Sequence, residues 1–378
     1  MKRTNRSKSV IRRRYPSKAL HAIALGLLAI PVLASAQLAP APAEKDWREA
    51  NDEVGKFKRG HADILKWEAQ NTPAPQSQEE ATPSLSLMTA EDAVRQAWKA
   101  HRELVWSMGK VGRANVDLIA KGRWTELDPM LQRKVGVVDE LLEVAVQGRK
   151  AWIQAVASRQ TLKHLRDALG AAEAANELGR RMVSVGNWSK LQQAQTQLAL
   201  SSAQMNVRRA QHAATQAEAA LIKTLRLTGV HSTIALPERL PDMPTMAIDQ
   251  AVFDDRAEAI ASQLPRAESM RNRAHVRLAQ QAYQASHALA LNTRDEVLKV
   301  REFITEETVL HYNGMLKSVW DLLGEVSNQS QAVVGAIDAQ RDFWIAETDL
   351  QWVLQGGAPD SFVSLGGSGG ETAAAAGH

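Results

Sequence analysis

Two short turns in this sequence separate long helical stretches into pairs of antiparallel arms. One turn lies at Gly186 and the other at Gly314, and the flanking stretches are rich in Ala, Leu, Gln, Glu, Arg and Lys, which favour helix. Each return arm runs 43 residues from its turn glycine to another glycine, Gly229 or Gly357. An internal repeat constrains architecture more firmly than any single motif. The sequence therefore predicts an all-α protein of duplicated long antiparallel helical hairpins.

The first 36 residues have the features of a secretory signal. They contain eight basic residues and no acidic one, an apolar run from Ala22 to Leu33, and a small-residue triplet ending at Ala36. We therefore predict a signal peptide at residues 1–36 and export of the mature chain. The basic residues Arg12 and Arg13 leave the twin-arginine route open beside the general secretory route.

The charge balance argues against nucleic acid as a partner. The chain carries a net charge of +4, and removal of the first 36 residues would leave −4, so the basic character belongs to the discarded segment. The absence of cysteine excludes a disulfide framework and thiolate metal sites.

Proline-rich segments and caps divide the mature chain. Thr89 is predicted to cap a helix together with Asp92, a break is expected at residues 122–129 with an arm starting near Leu131, and Pro265 is expected to interrupt the second arm. No apolar stretch long enough for a membrane span is present after residue 36. The predicted segments are the signal peptide 1–36, an N-terminal helix and Pro-rich linker 37–86, a first helical repeat 87–229, a linker 230–247, a second helical repeat 248–357, and a disordered tail 358–378.

Apolar residues at spacings of three and four on the return arms indicate narrow seams, as in coiled coils. The predicted seam residues are Leu191, Ala194, Leu198 and Met205 on the first return arm, and Val319, Leu322, Leu323, Val326, Val333 and Ile337 on the second.

Three segments carry a resemblance to a known family. Residues 88–104 keep the register of an opening helix, residues 185–191 read Val-Gly-Asn-Trp-Ser-Lys-Leu, and residues 312–323 give a second tip. In these segments the chain resembles the TolC-like outer-membrane efflux proteins. The resemblance implies a homotrimer with a periplasmic α-barrel, an outer-membrane location, and docking of an efflux adaptor (membrane fusion) protein or pump at the hairpin tips.

The sequence also departs from the family pattern. Members place the strands of an outer-membrane β-barrel before each tip, whereas residues 105–180 and 266–310 here are helix-like, so no membrane β-barrel is evident. The chain resembles a branch without the barrel, which is associated with metal, especially copper, resistance. The family's tip glycine would stand three residues after Tyr312, whereas Gly314 is two residues after it, and Gly324 replaces a second acidic residue.

The resemblance places the functional residues at the two tips. Exposed turn residues held by a rigid scaffold often carry recognition, and the two glycines are expected to reverse the chain with positive φ. Lys317 and Asp321 correspond to charges that open and close the periplasmic entrance in the family. The candidate docking residues are Val185, Gly186, Asn187, Trp188, Asn313, Gly314, Met315 and Leu316.

Signals for chemistry are weak. Met243 and Met246 offer two thioethers that could hold Cu(I), but a site of two methionines without a nearby His or Cys has few ligands. Glu306 and Glu307 are read as surface carboxylates, and no nucleophile, phosphate-binding or dinucleotide motif is present. We therefore predict no cofactor and no enzyme. The alternatives to an efflux component are a non-transporting periplasmic helical scaffold, a copper-resistance accessory protein, and a soluble metal-buffering protein.

Overall fold

The computed structural model describes residues 85–228 and 234–365. The predicted signal peptide, the N-terminal helix, the closing Gly229 and the end of the tail lie outside the described residues. Within them the chain is almost entirely helical, which confirms the predicted fold class. The α-helices are α1 (Ala90–Ala100), α2 (Val105–Val111), α3 (Arg113–Lys121), α4 (Leu131–Val135), α5 (Val138–Ser184), α6 (Lys190–Thr224), α7 (Gln250–Ala261), α8 (Arg266–Asn292), α9 (Leu298–Asn313) and α10 (Val319–Val353).

Helices α5 and α6 form the first hairpin, and α8, α9 and α10 form the second. Both return helices have 35 residues. The first ascending arm is one helix of 47 residues, or about 70 Å at 1.5 Å per residue. The second ascending arm consists of α8 and α9 joined by a π-helical turn, Thr293–Val297, and it contains one residue more. A π-turn absorbs an inserted residue without ending the helix, so the two arms remain equivalent.

Local signals in the sequence set the helix starts. The hydroxyl of Thr89 accepts from the backbone N–H of Asp92, and the Asp92 carboxylate accepts from the backbone N–H of Thr89, which confirms the predicted capping box. The second arm is interrupted at Pro265, as predicted, and Pro265 is the N-cap of α8. The first arm begins at Val138 rather than near Leu131, because Gly136 adopts a positive φ of 72° and ends α4.

The four long arms lie side by side. Helix α5 packs against both α6 and α10, and α10 packs in turn against α8 and α9. The order across the layer is therefore α6, α5, α10, and then α8 with α9. Helix α1 packs on the first half of α5, and the short helices α2 to α4 cover the end of the layer remote from the tips, which we call the base.

The hydrophobic core is concentrated toward the base. Trp98, Trp124 and Trp152 are buried there among the first turns of α5. Between Leu162 and the end of α5, only Gly179 is buried. The half of the layer near the tips thus has little interior of its own.

Parts of both predicted linkers are packed rather than free. Leu85–Ser86 forms a strand, β1, that pairs in parallel with β2, Ile234–Ala235. Leu240 and Met243 are buried in the core further along the second linker. Burial of their apolar side chains stabilises the packed conformation of the linker relative to a solvated one.

Charged pairs join the two hairpins near the base. Arg149 lies 3.6 Å from Glu347, and Lys150 forms an ion pair with Asp349. Burial raises the pKa of both carboxyl groups, against the opposing effect of their cationic partners. These pairs fix α5 against α10, and they make that contact sensitive to pH.

Candidate functional site: the hairpin tips and the flanks of the layer

The two tips are the same structure at an offset of 129 residues. In the first tip the backbone N–H of Asn187 donates to the Met182 carbonyl at 2.9 Å. In the second, the N–H of Leu316 donates to the His311 carbonyl at 2.8 Å. Both bonds close the last turn of an ascending arm in the manner of a Schellman motif.

The residue with positive φ differs from the prediction in the second tip. Gly186 has φ +78°, as expected, but Gly314 has φ −80°, and Met315 takes the left-handed position with φ +60°. The prediction of positive φ at Gly314 is therefore wrong. The left-handed residue stands three residues before the N-cap serine in both tips, which is Gly186 before Ser189 and Met315 before Ser318. Met315 stands three residues after Tyr312, where the family pattern has glycine.

Each return helix starts with a capping box. Ser189 and Gln192 form it in the first tip, and Ser318 and Asp321 form it in the second. The Asp321 carboxylate accepts from the Ser318 hydroxyl at 2.7 Å and from its N–H at 2.8 Å, and these bonds lower the pKa of Asp321. Asp321 therefore has a structural partner. A role for it in an entrance remains a prediction, as it does for the exposed Lys317.

Trp188 joins the two tips instead of projecting from them. Its ring centroid lies 4.4 Å from that of Trp320 on α10. A Cβ on Gly179 would lie 3.1 Å from the Trp188 ring and 2.8 Å from the Thr196 hydroxyl, so glycine is required for this close approach. The predicted docking residue Trp188 is thus half-buried, and it holds the hairpins together at the tip end.

The remaining candidate docking residues are exposed at the apex. Met315 is 94% exposed, and Leu316 and Val185 are also largely solvent-accessible. Asn187 and Asn313 are exposed beside them. Large apolar side chains so exposed at the end of a rod are typical of a recognition surface.

The outer flanks of the layer carry further exposed apolar side chains. On α6 these are Leu191, Leu198 and Met205, with Leu198 70% exposed, so the seam predicted there is wrong. The reason is that the α6 face toward α5 is lined with small residues such as Ala210 and Ala214, and the larger stripe points outward. The residues predicted for the seam on α10 face other parts of the chain, since Ile337 is buried and the other five are half-buried.

Helix α9, on the opposite flank, carries a matching stripe that the sequence analysis did not single out. Val300, Phe303 and Leu310 are exposed there, with Phe303 59% exposed. Their spacing of three and seven residues is the signal that could have identified them. We call the two surfaces the α6 flank (Leu191, Leu198, Met205) and the α9 flank (Val300, Phe303, Leu310).

Met243 and Met246, the two weak candidate ligands for copper, are in different environments. Met243 is buried in an apolar cluster, whereas Met246 is 81% exposed. In residues 85–228 and 234–365, no group of three or more His, Cys, Asp or Glu side chains is arranged to hold a metal ion. None of the helices described there is long and apolar enough to cross a membrane.

Comparison with known proteins gives matches in structure only. No protein-family model matches the chain, and no curated protein matches it in sequence. Among the similar solved structures are CusC, studied for folding and transmembrane channel formation (10% identity, 71% of this chain and 92% of that chain, TM-score 0.44); the CmeC outer membrane channel of Campylobacter jejuni (13%, 64% and 67%, TM-score 0.45); and a membrane protein from Pseudomonas aeruginosa (12%, 71% and 72%, TM-score 0.47).

Identities of 10–13% with TM-scores below 0.5 leave the function of this chain to be argued from its own residues.

Proposed function

We propose that this protein is an exported component of a cell-envelope efflux system, in which copies of the chain join flank to flank into a closed ring. The long helices of the ring line a periplasmic duct, and the tips dock an efflux adaptor (membrane fusion) protein or pump. The observation that carries the proposal is the presence of two unpartnered apolar stripes on opposite flanks of one layer.

The stripes match in height when copies stand side by side with their tips at the same end. Leu191 lies five residues after the positive-φ residue Gly186, and Leu310 lies five residues before the equivalent Met315. Leu198 and Phe303 are each twelve residues from the same two positions. Antiparallel arms rise equally per residue, so the members of each pair stand at one level.

The charges on the flanks are also complementary. Helix α6 has four basic residues and one acidic residue, a net charge of +3. The segment formed by the π-turn and α9, residues 293–313, has three basic and five acidic residues, a net charge of −2. Opposite charges steer two such surfaces together and disfavour contacts between like flanks.

A contact between two different surfaces of the same chain is heterologous, and it gives a ring when the rotation closes. The poorly filled interior of the tip half supports this assembly, because neighbouring copies would cover side chains that a single copy leaves in water. A trimer is the ring that the family resemblance implies. Movement of a substrate through such a duct requires no bond chemistry.

The test of the ring uses the natural absence of cysteine. The double variant Leu198→Cys with Phe303→Cys, expressed at full length and oxidised in the envelope fraction, should give cross-linked dimers and trimers and nothing larger. Each single variant is the matched control and should give no cross-link, because position 198 faces position 303 and not itself. Dimers from a single variant, or a double variant that stays monomeric, would refute the ring and favour the scaffold alternative.

The test of tip docking compares two exposed methionines. Met315→Asp should leave the ring intact but abolish efflux, measured as retention of a fluorescent dye or of copper in cells. Met246→Asp, which lies outside the tips and flanks and is also highly exposed, should retain efflux. If deletion of the gene changes the retention of neither dyes nor metal ions, the transport role is wrong.

A further inference from the structure

The base of the layer carries an exposed surface that the tips and flanks do not use. On α2, Val105 is exposed and Trp106 is 62% exposed. The Lys110 ammonium nitrogen lies 3.7 Å from the centroid of the Trp106 ring. A large aromatic side chain left in water at this position needs an explanation, since Leu104 and Val111 at the two ends of the same segment are buried.

Basic residues flank this aromatic residue in the sequence. Residues 99–113 contain four basic residues and one acidic residue, a net charge of +3. All four cations, Lys99, Arg102, Lys110 and Arg113, are exposed. The acidic residue, Glu103, is already paired with His101 at 3.0 Å and with Arg226 at 3.4 Å. Asp117 on α3 also feels the charge of Arg113, but its carboxylate is paired with Arg95 at 2.8 Å. The segment 99–113 therefore keeps an excess of positive charge.

We propose that this surface, Val105 and Trp106 with the four cations, binds an anionic phospholipid surface. Tryptophan prefers the boundary between headgroups and acyl chains, because its apolar ring contacts the acyl chains there while its N–H still hydrogen-bonds to water or headgroups. Lysine and arginine reach from that depth to the phosphates. The apolar residues thus match the region just below the headgroups, and the cations match the phosphates of the headgroups.

The position of the surface agrees with this role. Helix α2 packs on α4 and on the first turns of α5, whereas the tip follows the end of α5 at Ser184. The length of α5 separates the two by about 70 Å. If the tips meet a partner in the periplasm, as the proposed function holds, the base is the end that faces a bilayer. The orientation rests on the proposed function, whereas the lipid contact itself does not require the ring.

Trp106 is also held in a geometry suited to shallow insertion. Leu104, Ser107 and Val111 anchor α2 to the core below it. The exposed pair Val105 and Trp106 therefore projects from a fixed support. A rigid support lowers the conformational entropy lost on binding.

The experiment is co-sedimentation of the purified mature protein with vesicles. Vesicles of phosphatidylcholine with about 30% of the anionic lipid phosphatidylglycerol should bind the protein. Vesicles of phosphatidylcholine alone should not. The partition coefficient should fall about tenfold in high salt and about tenfold in Trp106→Ala. The double variant Lys110→Gln with Arg113→Gln should lower the partition coefficient about 25-fold, at about fivefold per cation.

Met246→Ala is the matched control, because it removes an even more exposed apolar side chain outside this surface and should leave vesicle binding unchanged. Circular dichroism of each variant verifies that the helices are intact. Equal binding by Trp106→Ala and the wild type, or equal binding to the two vesicle types, would overturn the proposal. So would a change in oligomer size caused by Trp106→Ala without lipid, since the surface would then contact a second copy.

The two proposals fail separately. A monomer that binds anionic vesicles through Trp106 keeps this inference and refutes the ring. A cross-linked trimer that ignores vesicles keeps the ring and refutes this inference.

Discussion

Substitutions at the two tips test the one-residue shift between the hairpins. Gly186 has φ +78° with open space around the position of a Cβ, so the strain of Gly186→Ala comes from the backbone alone. A left-handed conformation costs an L-residue about 1–2 kcal/mol, and the less flexible unfolded chain returns about 0.4–1 kcal/mol. The tip should therefore lose about 1 kcal/mol.

Gly314→Ala is the matched control in the second tip. Gly314 has φ −80°, and a Cβ there would lie 3.5 Å from the Leu310 carbonyl oxygen, an ordinary contact. The substitution should stabilise the tip by about 0.5 kcal/mol through the unfolded state. Two glycines that look equivalent in the sequence are thus expected to respond with opposite signs.

Met315→Gly completes the series. Met315 has φ +60° and is 94% exposed, so its removal costs almost no packing. The substitution relieves about 1–2 kcal/mol of backbone strain. The greater conformational entropy of glycine in the unfolded chain costs less, about 0.5–1 kcal/mol. A net gain of about 0.5–1 kcal/mol is expected.

Hydrogen exchange at the tip amides is the appropriate assay, because hairpin ends open locally without global unfolding. The N–H groups of Trp188 and Lys317, which donate to Met182 and His311, report on the two tips. About 1 kcal/mol corresponds to roughly a fivefold change in exchange rate. Destabilisation by Gly314→Ala as large as that by Gly186→Ala, or faster exchange in Met315→Gly, would show that the register is wrong.

Three further predictions concern the rest of the fold. Trp188→Ala should cost about 2 kcal/mol and speed amide exchange in both tips, because it removes the ring contact with Trp320; unchanged exchange in the second tip would contradict the contact. Thr89→Ala should lower the free energy of unfolding by about 1 kcal/mol in urea titrations, with Thr89→Ser as the control that keeps the cap. The pKa of Asp349 is raised in the folded state, so its contribution to stability is fully present below the unfolded-state pKa and is lost as pH rises through the folded-state pKa. As pH falls from 7 to 4, the wild type should therefore gain stability relative to Asp349→Asn, by at most about 1.4 kcal/mol per pH unit. A pH-independent difference between these two proteins would mean that Asp349 is not desolvated.

The hairpins themselves could be predicted because their signals are local. Helix-favouring composition, the Thr89 capping box and the breaks at Gly122 and Pro265 all act within a few residues. The two reversals at residues 186 and 314 were found for the same reason. Helix starts and stops depend on backbone hydrogen bonds that neighbouring side chains complete.

The positive-φ residue of the second tip is not the glycine that the sequence pattern predicts. The equal spacing of 43 residues between glycines suggests equal registers, but the second tip has one more residue between its glycine and the N-cap Ser318 than the first has before Ser189. Met315 therefore occupies the left-handed position, and this depends on where the two helices end.

The sequence by itself determined the all-α hairpins, their turns and their caps, because each of these depends on contacts between residues close together in the chain. Which face of each helix remains in water was decided only by the tertiary structure. The apolar stripe of Leu191, Leu198 and Met205 has the spacing of a seam, yet small residues of α6 pack on α5 and leave the stripe outside. Periodicity marks an apolar face, but the close fit of two particular helices selects which side of a helix is buried.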